Sequence, residues 1–135
     1  MKKKVLFICT HNSARSQMAE GLVNHFYKER FCAYSAGTQP GEVNPYAIRV
    51  MQEIGIDMIG ATAKSTEPFL GQDIDLVVTV CDQAREVCPF SPGAGAYAHK
   101  GFTDPSLAEG SEEEILTVFR TARDEIHAWL EEYFQ

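Results

Sequence analysis

Two short runs of this chain, residues 4–9 (Lys-Val-Leu-Phe-Ile-Cys) and 75–80 (Asp-Leu-Val-Val-Thr-Val), are almost continuously apolar. A strand with one wet face alternates apolar and polar side chains, whereas a strand covered on both faces does not. Both runs therefore read as buried strands of a parallel sheet. The pattern between and after them is helical. Residues 14–29 carry Met18, Leu22, Val23 and Phe26 on one side. Phe31 to Ser35 reads as a second strand, ended by Ala36-Gly37. Asn44-Pro45 places a cap residue before a proline at the first helical position, opening a helix to about Ile54, with Gly55 as its stop. Residues 82–87 suit a short helix stopped by Pro89, Gly93 to Gly95 a turn, and Tyr97 to Phe102 a weaker strand. The last helix starts at Ser111, where Glu114 completes a capping box, and Ile115, Phe119, Ala122, Ile126, Leu130 and Phe134 form its apolar stripe. The expected fold is α/β: three layers, an open four-stranded parallel sheet with helices on both faces, in one domain spanning residues 1–135.

Open parallel sheets bind ligands at the carboxyl ends of their strands. Cys9 ends the first strand, Ser35 the second and Cys81 the third, and Asp104 follows the fourth, so all four are expected on one edge. Cys9 opens the loop Thr10-His11-Asn12-Ser13-Ala14, which leads through Arg15 and Ser16 directly into a helix. Successive backbone N–H groups ahead of a helix N-terminus cradle an oxyanion. The same positive surroundings favour a nucleophilic thiolate. Residues 10–15 are thus the expected oxyanion site, with Arg15 adding a planar fork of donors. Ser16 is placed either to hydrogen-bond the sulfur or to cap the helix. Asp104, its direction fixed by Pro105, is either a proton donor to a leaving oxygen or an ordinary Asp-Pro turn.

The formal net charge of −7 argues against nucleic acid as a partner, so an anion must be held by a local site. No stretch approaches the roughly 18 apolar residues of a membrane span. Lys2-Lys3-Lys4 precedes an apolar run too short for a secretory leader, so a cytoplasmic location is expected. Cys9, Cys32, Cys81 and Cys88 are then reduced at rest. Cys32 lies within a strand and reads as core. Cys81 and Cys88, seven apart without a matching His or Cys pair, do not form a zinc pattern, and no metal is expected. They bear instead on the reaction type. Phosphoryl transfer needs one nucleophilic cysteine. A two-electron reduction needs a second thiol to displace the first as a disulfide, and a third lets that disulfide move outward. The plain alternative is two packing residues, one at a strand end and one before Pro89. Seven helical steps span ~10.5 Å, whereas bridged Cα atoms lie within about 7 Å. A Cys81–Cys88 bridge therefore requires that segment to unwind.

Cys-Thr-His-Asn-Ser-Ala-Arg-Ser-Gln-Met-Ala-Glu-Gly (9–21) resembles the signature of thioredoxin-coupled arsenate reductases, which are built on the low-molecular-weight protein tyrosine phosphatase fold. Tyr34-Ser35-Ala36-Gly37, Val43-Asn44-Pro45, Ile56-Asp57, Leu76 to Cys81, Cys88-Pro89, Gly101 to Pro105 and Arg123 to Ile126 extend the resemblance over nearly the whole chain. It implies that Cys9 attacks arsenate held by the loop amides and Arg15, and that Asp104 protonates the leaving oxygen. Cys81 then displaces arsenite, forming a Cys9–Cys81 disulfide, and Cys88 attacks Cys81. Thioredoxin reduces the resulting Cys81–Cys88 bridge. Phosphate or sulfate would bind the loop as analogues, and the mechanism requires no oligomer, so a monomer is expected.

The chain departs from the family at three places. Ala14 stands where Cys is frequent, and His11 where Gly is. Some members hold potassium with an Asn, a Glu, a Ser and an Asp. Asn12, Glu20 and Ser35 match, but the fourth position is Lys64, whose ammonium would repel a second cation, so potassium is not expected to be required. The rival within the fold is a tyrosine phosphatase using Cys9, Arg15 and Asp104. Such phosphatases usually carry tyrosines where this chain has Ser106-Leu107. A rival of another class is a non-catalytic phosphocarrier or redox-sensing module.

Overall fold

The computed structural model describes residues 2–82 and 96–134. Cys88, most of the helix expected at 82–87 and the turn at 93–95 lie outside the described residues. Four strands form one parallel sheet: β1 (Lys3–Cys9), β2 (Phe31–Gly37), β3 (Leu76–Thr79) and β4 (Ala96–His99), in the order β2-β1-β3-β4. Among the described residues the helices are α1 (Arg15–Phe26), α2 (Pro45–Gln52) and α3 (Glu112–Tyr133), with single 3₁₀ turns at Glu67–Phe69 and Pro105–Leu107. This is the α/β sheet expected from the unbroken apolar runs. Val5, Leu6, Phe7 and Ile8 are fully buried. Successive strand residues face opposite ways, so burial of all four requires cover on both faces of β1.

Register decides what meets at the carboxyl edge. Cys9 pairs with Gly37, Ile8 with Thr79, and Thr79 with His99. Strand β2 thus runs past Ser35 to Gly37, and Ser35 lies opposite Phe7, two positions short of the edge. Ser35 therefore does not join Cys9 at the loop, and its hydroxyl turns to Glu20 at 2.9 Å. Gly37 is needed where it stands: a Cβ there would lie 2.7 Å from the Thr10 carbonyl oxygen and 2.8 Å from the Asn12 nitrogen.

The faces of the elements differ from the expected ones at Phe26, at Ile115 and Leu116, at Arg123 and at Cys32. Phe26 is half exposed and stacks on His127 of α3 instead of entering the core. It closes α1, which stops at Phe26 because the chain turns through Tyr27–Arg30 to start β2. Leu116 rather than Ile115 takes the buried position at the start of α3, and Arg123 joins the buried side, donating to the Val50 carbonyl at 2.8 Å and pairing with Glu53. Cys32 is half-buried on edge strand β2, its thiol donating to the Tyr34 hydroxyl at 3.3 Å, so it is not core. Local chemistry set the helix starts as expected. The Asn44 side chain accepts from Tyr46 N, and Ser111 and Glu114 form both bonds of the capping box.

Replacing Gly37 by alanine forces the Cys9 loop away from β2. The expected cost is about 1–3 kcal/mol, read as a lower urea midpoint with an unchanged slope; an unaltered midpoint contradicts the close approach.

Candidate active site

The loop between β1 and α1 is shaped by Asn12. Its φ of 50° is left-handed, a conformation that asparagine tolerates better than most residues. Its side chain is fully buried and bonded at both ends. Oδ1 accepts from Lys64 N at 2.9 Å and from Gln17 Nε2 at 3.0 Å, and Nδ2 donates to Ser16 Oγ at 2.8 Å. Because the Ser16 oxygen already accepts from Asn12, its proton is left for the Cys9 sulfur, 2.8 Å away. The Asn12 backbone N–H also donates to that sulfur, at 3.2 Å. Two donors therefore converge on Cys9, an arrangement suited to negative sulfur. Of the two readings of Ser16, the structure favours the sulfur contact: the cap position of α1 is Ala14, and no side chain caps that helix.

Cys9 and the loop line a cavity of about 180 Å³ with His11, Ser13, Ala14, Arg15 and Asp104. Gly41, Glu42 and Ser106 complete its wall, with no Phe, Tyr or Trp among the described lining residues. Thr10 is buried beneath the loop, and its hydroxyl lies 3.3 Å from the Cys81 sulfur. Arg15 is steered from below by the Phe102 carbonyl at 3.2 Å, and its other terminal nitrogen reaches Asp104 at 3.5 Å. Asp104 itself caps the short 3₁₀ turn, accepting from the Ser106 backbone N–H. Asp104 is thus both a turn residue and a wall of the cavity. The exposed His11 donates from Nδ1 to the Gln39 carbonyl, which ties the loop to the segment after β2.

Of the four residues expected on one edge, Cys9, Cys81 and Asp104 come together there, and Ser35 falls outside it. Cys9 and Cys32 carry no disulfide. Four residues escaped the sequence reading. Gln17, polar yet buried beside Met18, braces Asn12 and the Thr62 carbonyl; its signal is a polar residue amid the apolar face of α1. Thr79, His99 and Asp82 form a hydrogen-bonded chain beside Cys81, and nothing in their spacing announces it.

A parallel α/β sheet that presents a cysteine-to-arginine loop at the mouth of its central strand defines a narrow class of oxyanion-handling proteins. The family profile of low molecular weight phosphotyrosine protein phosphatase matches residues 4–135. The chain belongs to that family. An arsenate reductase of Halalkalibacterium halodurans is 47% identical over 125 residues, covering 93% of this chain and 90% of the relative. One from Bacillus subtilis is 40% identical over 134 residues, covering 98% and 96%. Among solved structures, an arsenate reductase in its oxidized state superposes with a TM-score of 0.82 at 32% identity, over 96% of this chain and 95% of that one. A thioredoxin-dependent arsenate reductase of Corynebacterium glutamicum superposes at 0.71 and 27% identity, over 97% of this chain and 61% of that one.

Behind the loop, burial pushes the Glu20 carboxyl above its ordinary value, while the Lys64 charge and the Ser35 hydrogen bonds pull it partly back. A raised folded-state value means that the folded chain holds this proton more tightly. Its contribution to stability is therefore complete below the ordinary carboxylate range and lost as pH rises through the folded value. Glu20→Gln removes that loss. The stability of the variant relative to the parent should rise as pH climbs above the ordinary carboxylate range, measured by urea unfolding; a gap that is constant or falls with pH contradicts this assignment.

Proposed function

We propose that this chain reduces arsenate to arsenite through a relay of three cysteines, with thioredoxin as reductant, in arsenic detoxification. The observation that carries the reading is the approach of Cys81 to the Cys9 loop, sulfur to Thr10 hydroxyl at 3.3 Å. A phosphatase has no use for a second thiol there. The likeness to arsenate reductases over nearly the full chain supports the substrate, and the thioredoxin-dependent relative supports the reductant.

In this reading the amides of Thr10, His11, Asn12, Ser13 and Ala14, with Arg15, hold the arsenate oxygens. Cys9 sulfur attacks arsenic, and the displaced oxygen leaves as water with protons from Asp104 and solvent. Cys81 then attacks the Cys9 sulfur. The S–S bond forms as the S–As bond breaks, and the electron pair stays on arsenic, which departs as arsenite. Two thiols have lost the two electrons that arsenic gained. Cys88 attacks Cys81 and frees Cys9, and a dithiol of thioredoxin reduces the outer bridge. The thiols need a reducing compartment, in keeping with a cytoplasmic location. Phosphate-ester hydrolysis is in this reading a residual activity of Cys9, Arg15 and Asp104, which line the same cavity.

Potassium has no part in this reading, because the four positions do not fit it. Asn12 Oδ1 is taken by Lys64 N and Gln17, and Glu20 Oε1 by the Ser35 hydroxyl. Lys64 Nζ donates to the Thr62 carbonyl at 2.8 Å, and its charge acts on Glu20. An ammonium thus supplies the positive charge at this place.

Arsenate-dependent NADPH oxidation, coupled through thioredoxin and its reductase, tests the relay. Cys9→Ser, Cys81→Ser and Cys88→Ser should each lower turnover by about a hundredfold or more, while hydrolysis of p-nitrophenyl phosphate is lost only in Cys9→Ser. Wild-type turnover in Cys81→Ser or Cys88→Ser overturns the proposal. The same assay in potassium and in sodium chloride should agree within about twofold; strong stimulation by potassium contradicts the role given to Lys64.

A further inference from the structure

Cys81 must hold one position to attack Cys9 and then be given up to Cys88. The structure surrounds it with a tether. Before Cys81, the Val80 backbone is bonded on both sides, its N–H to the Ile8 carbonyl and its carbonyl to Phe102 N–H. After it, Asp82 Oδ1 accepts from His99 Nε2 at 2.9 Å. His99 is itself fixed: its Nδ1 lies 2.7 Å from the hydroxyl of fully buried Thr79, which in turn lies 3.1 Å from the Tyr97 hydroxyl. Gly101 leaves room for the contact, since a Cβ there would stand 2.9 Å from Asp82 Oδ1.

The Asp82 side chain is 85% exposed, so as a surface ion pair it contributes little to stability. Its imidazole partner, however, is only 17% exposed and locked to a core hydroxyl. The bond therefore fixes the residue after Cys81 to the edge of β4. We infer that Asp82 and His99 are positioning residues that clamp Cys81 over the Cys9 loop for its attack. The segment they anchor continues to Phe102, whose carbonyl steers Arg15, and to Asp104. One loop thus registers the second nucleophile against the oxyanion site. The inference rests on the proposed arsenate reduction, because only that reaction uses Cys81. In the step concerned, the Cys81–Cys9 S–S bond forms, the Cys9–As bond breaks, and the electron pair leaves with arsenic as arsenite.

The test is single-turnover arsenite release by the full chain in a Cys88→Ser background, where the relay stops at Cys9–Cys81. Adding Asp82→Ala should slow release about tenfold or more, the scale of a lost near-attack geometry. Asp82→Asn, whose amide oxygen accepts the same bond, should stay within about twofold of the parent background. Hydrolysis of p-nitrophenyl phosphate should be unchanged in both, since it does not use Cys81. Parental release rates in Asp82→Ala overturn the clamp, as does Asp82→Asn as slow as the alanine variant, or an equal loss of ester hydrolysis. If the Cys88→Ser background itself releases no arsenite, the proposed function fails and the clamp falls with it.

Discussion

The site depends on one buried amide. Asn12 turns the chain through a left-handed conformation and bonds its side chain at both ends within the protein. A buried amide left unpaired costs about 1–3 kcal/mol for each missing bond, so these three bonds hold the loop in place. They have two effects. The backbone N–H of Asn12 is aimed at the Cys9 sulfur, and Ser16, accepting from Asn12, directs its hydroxyl proton to the same atom. A structural asparagine thereby sets the polarity around the Cys9 sulfur. These donors converge at one place in a chain whose net charge is −7.

The second constraint is register. In a parallel sheet the residues that follow paired positions arrive at one level of the carboxyl edge. Ile8 opposite Thr79, and Thr79 opposite His99, bring Cys9, Cys81 and the segment of Phe102 and Asp104 to one mouth. Gly37 opposite Cys9 lets the loop lie against β2 without a side chain in the way. The bond chain from Tyr97 through Thr79 and His99 to Asp82 continues the same logic beyond the last paired residue.

Features written in neighbouring residues were legible before any coordinates. The unbroken run Val5–Ile8 announced a strand covered on both faces, Asn44-Pro45 a capped helix start, and Ser111 with Glu114 a capping box. The loop from Cys9 to Arg15 was legible because a strand, a polar loop and a helix are contiguous. Features that depend on a distant partner were not. Periodicity cannot choose between Ile115 and Leu116, adjacent on the helix surface, until the packing of α3 is known. Phe26 is apolar and correctly spaced, yet His127 covers it at the surface. Asn12 shows its bracing role only with Lys64, 52 residues away, and Ser35 its place only when β2 extends to Gly37.

The central claim is that Cys81 is the thiol that displaces arsenic from Cys9. The direct measurement is disulfide mapping by mass spectrometry of the Cys88→Ser chain after one equivalent of arsenate and alkylation. The account predicts a linked pair of peptides containing Cys9 and Cys81, formed in step with one arsenite per chain, with Cys32 fully alkylated. Arsenite appearing while Cys81 remains alkylatable, or a bridge from Cys9 to Cys32, would contradict it.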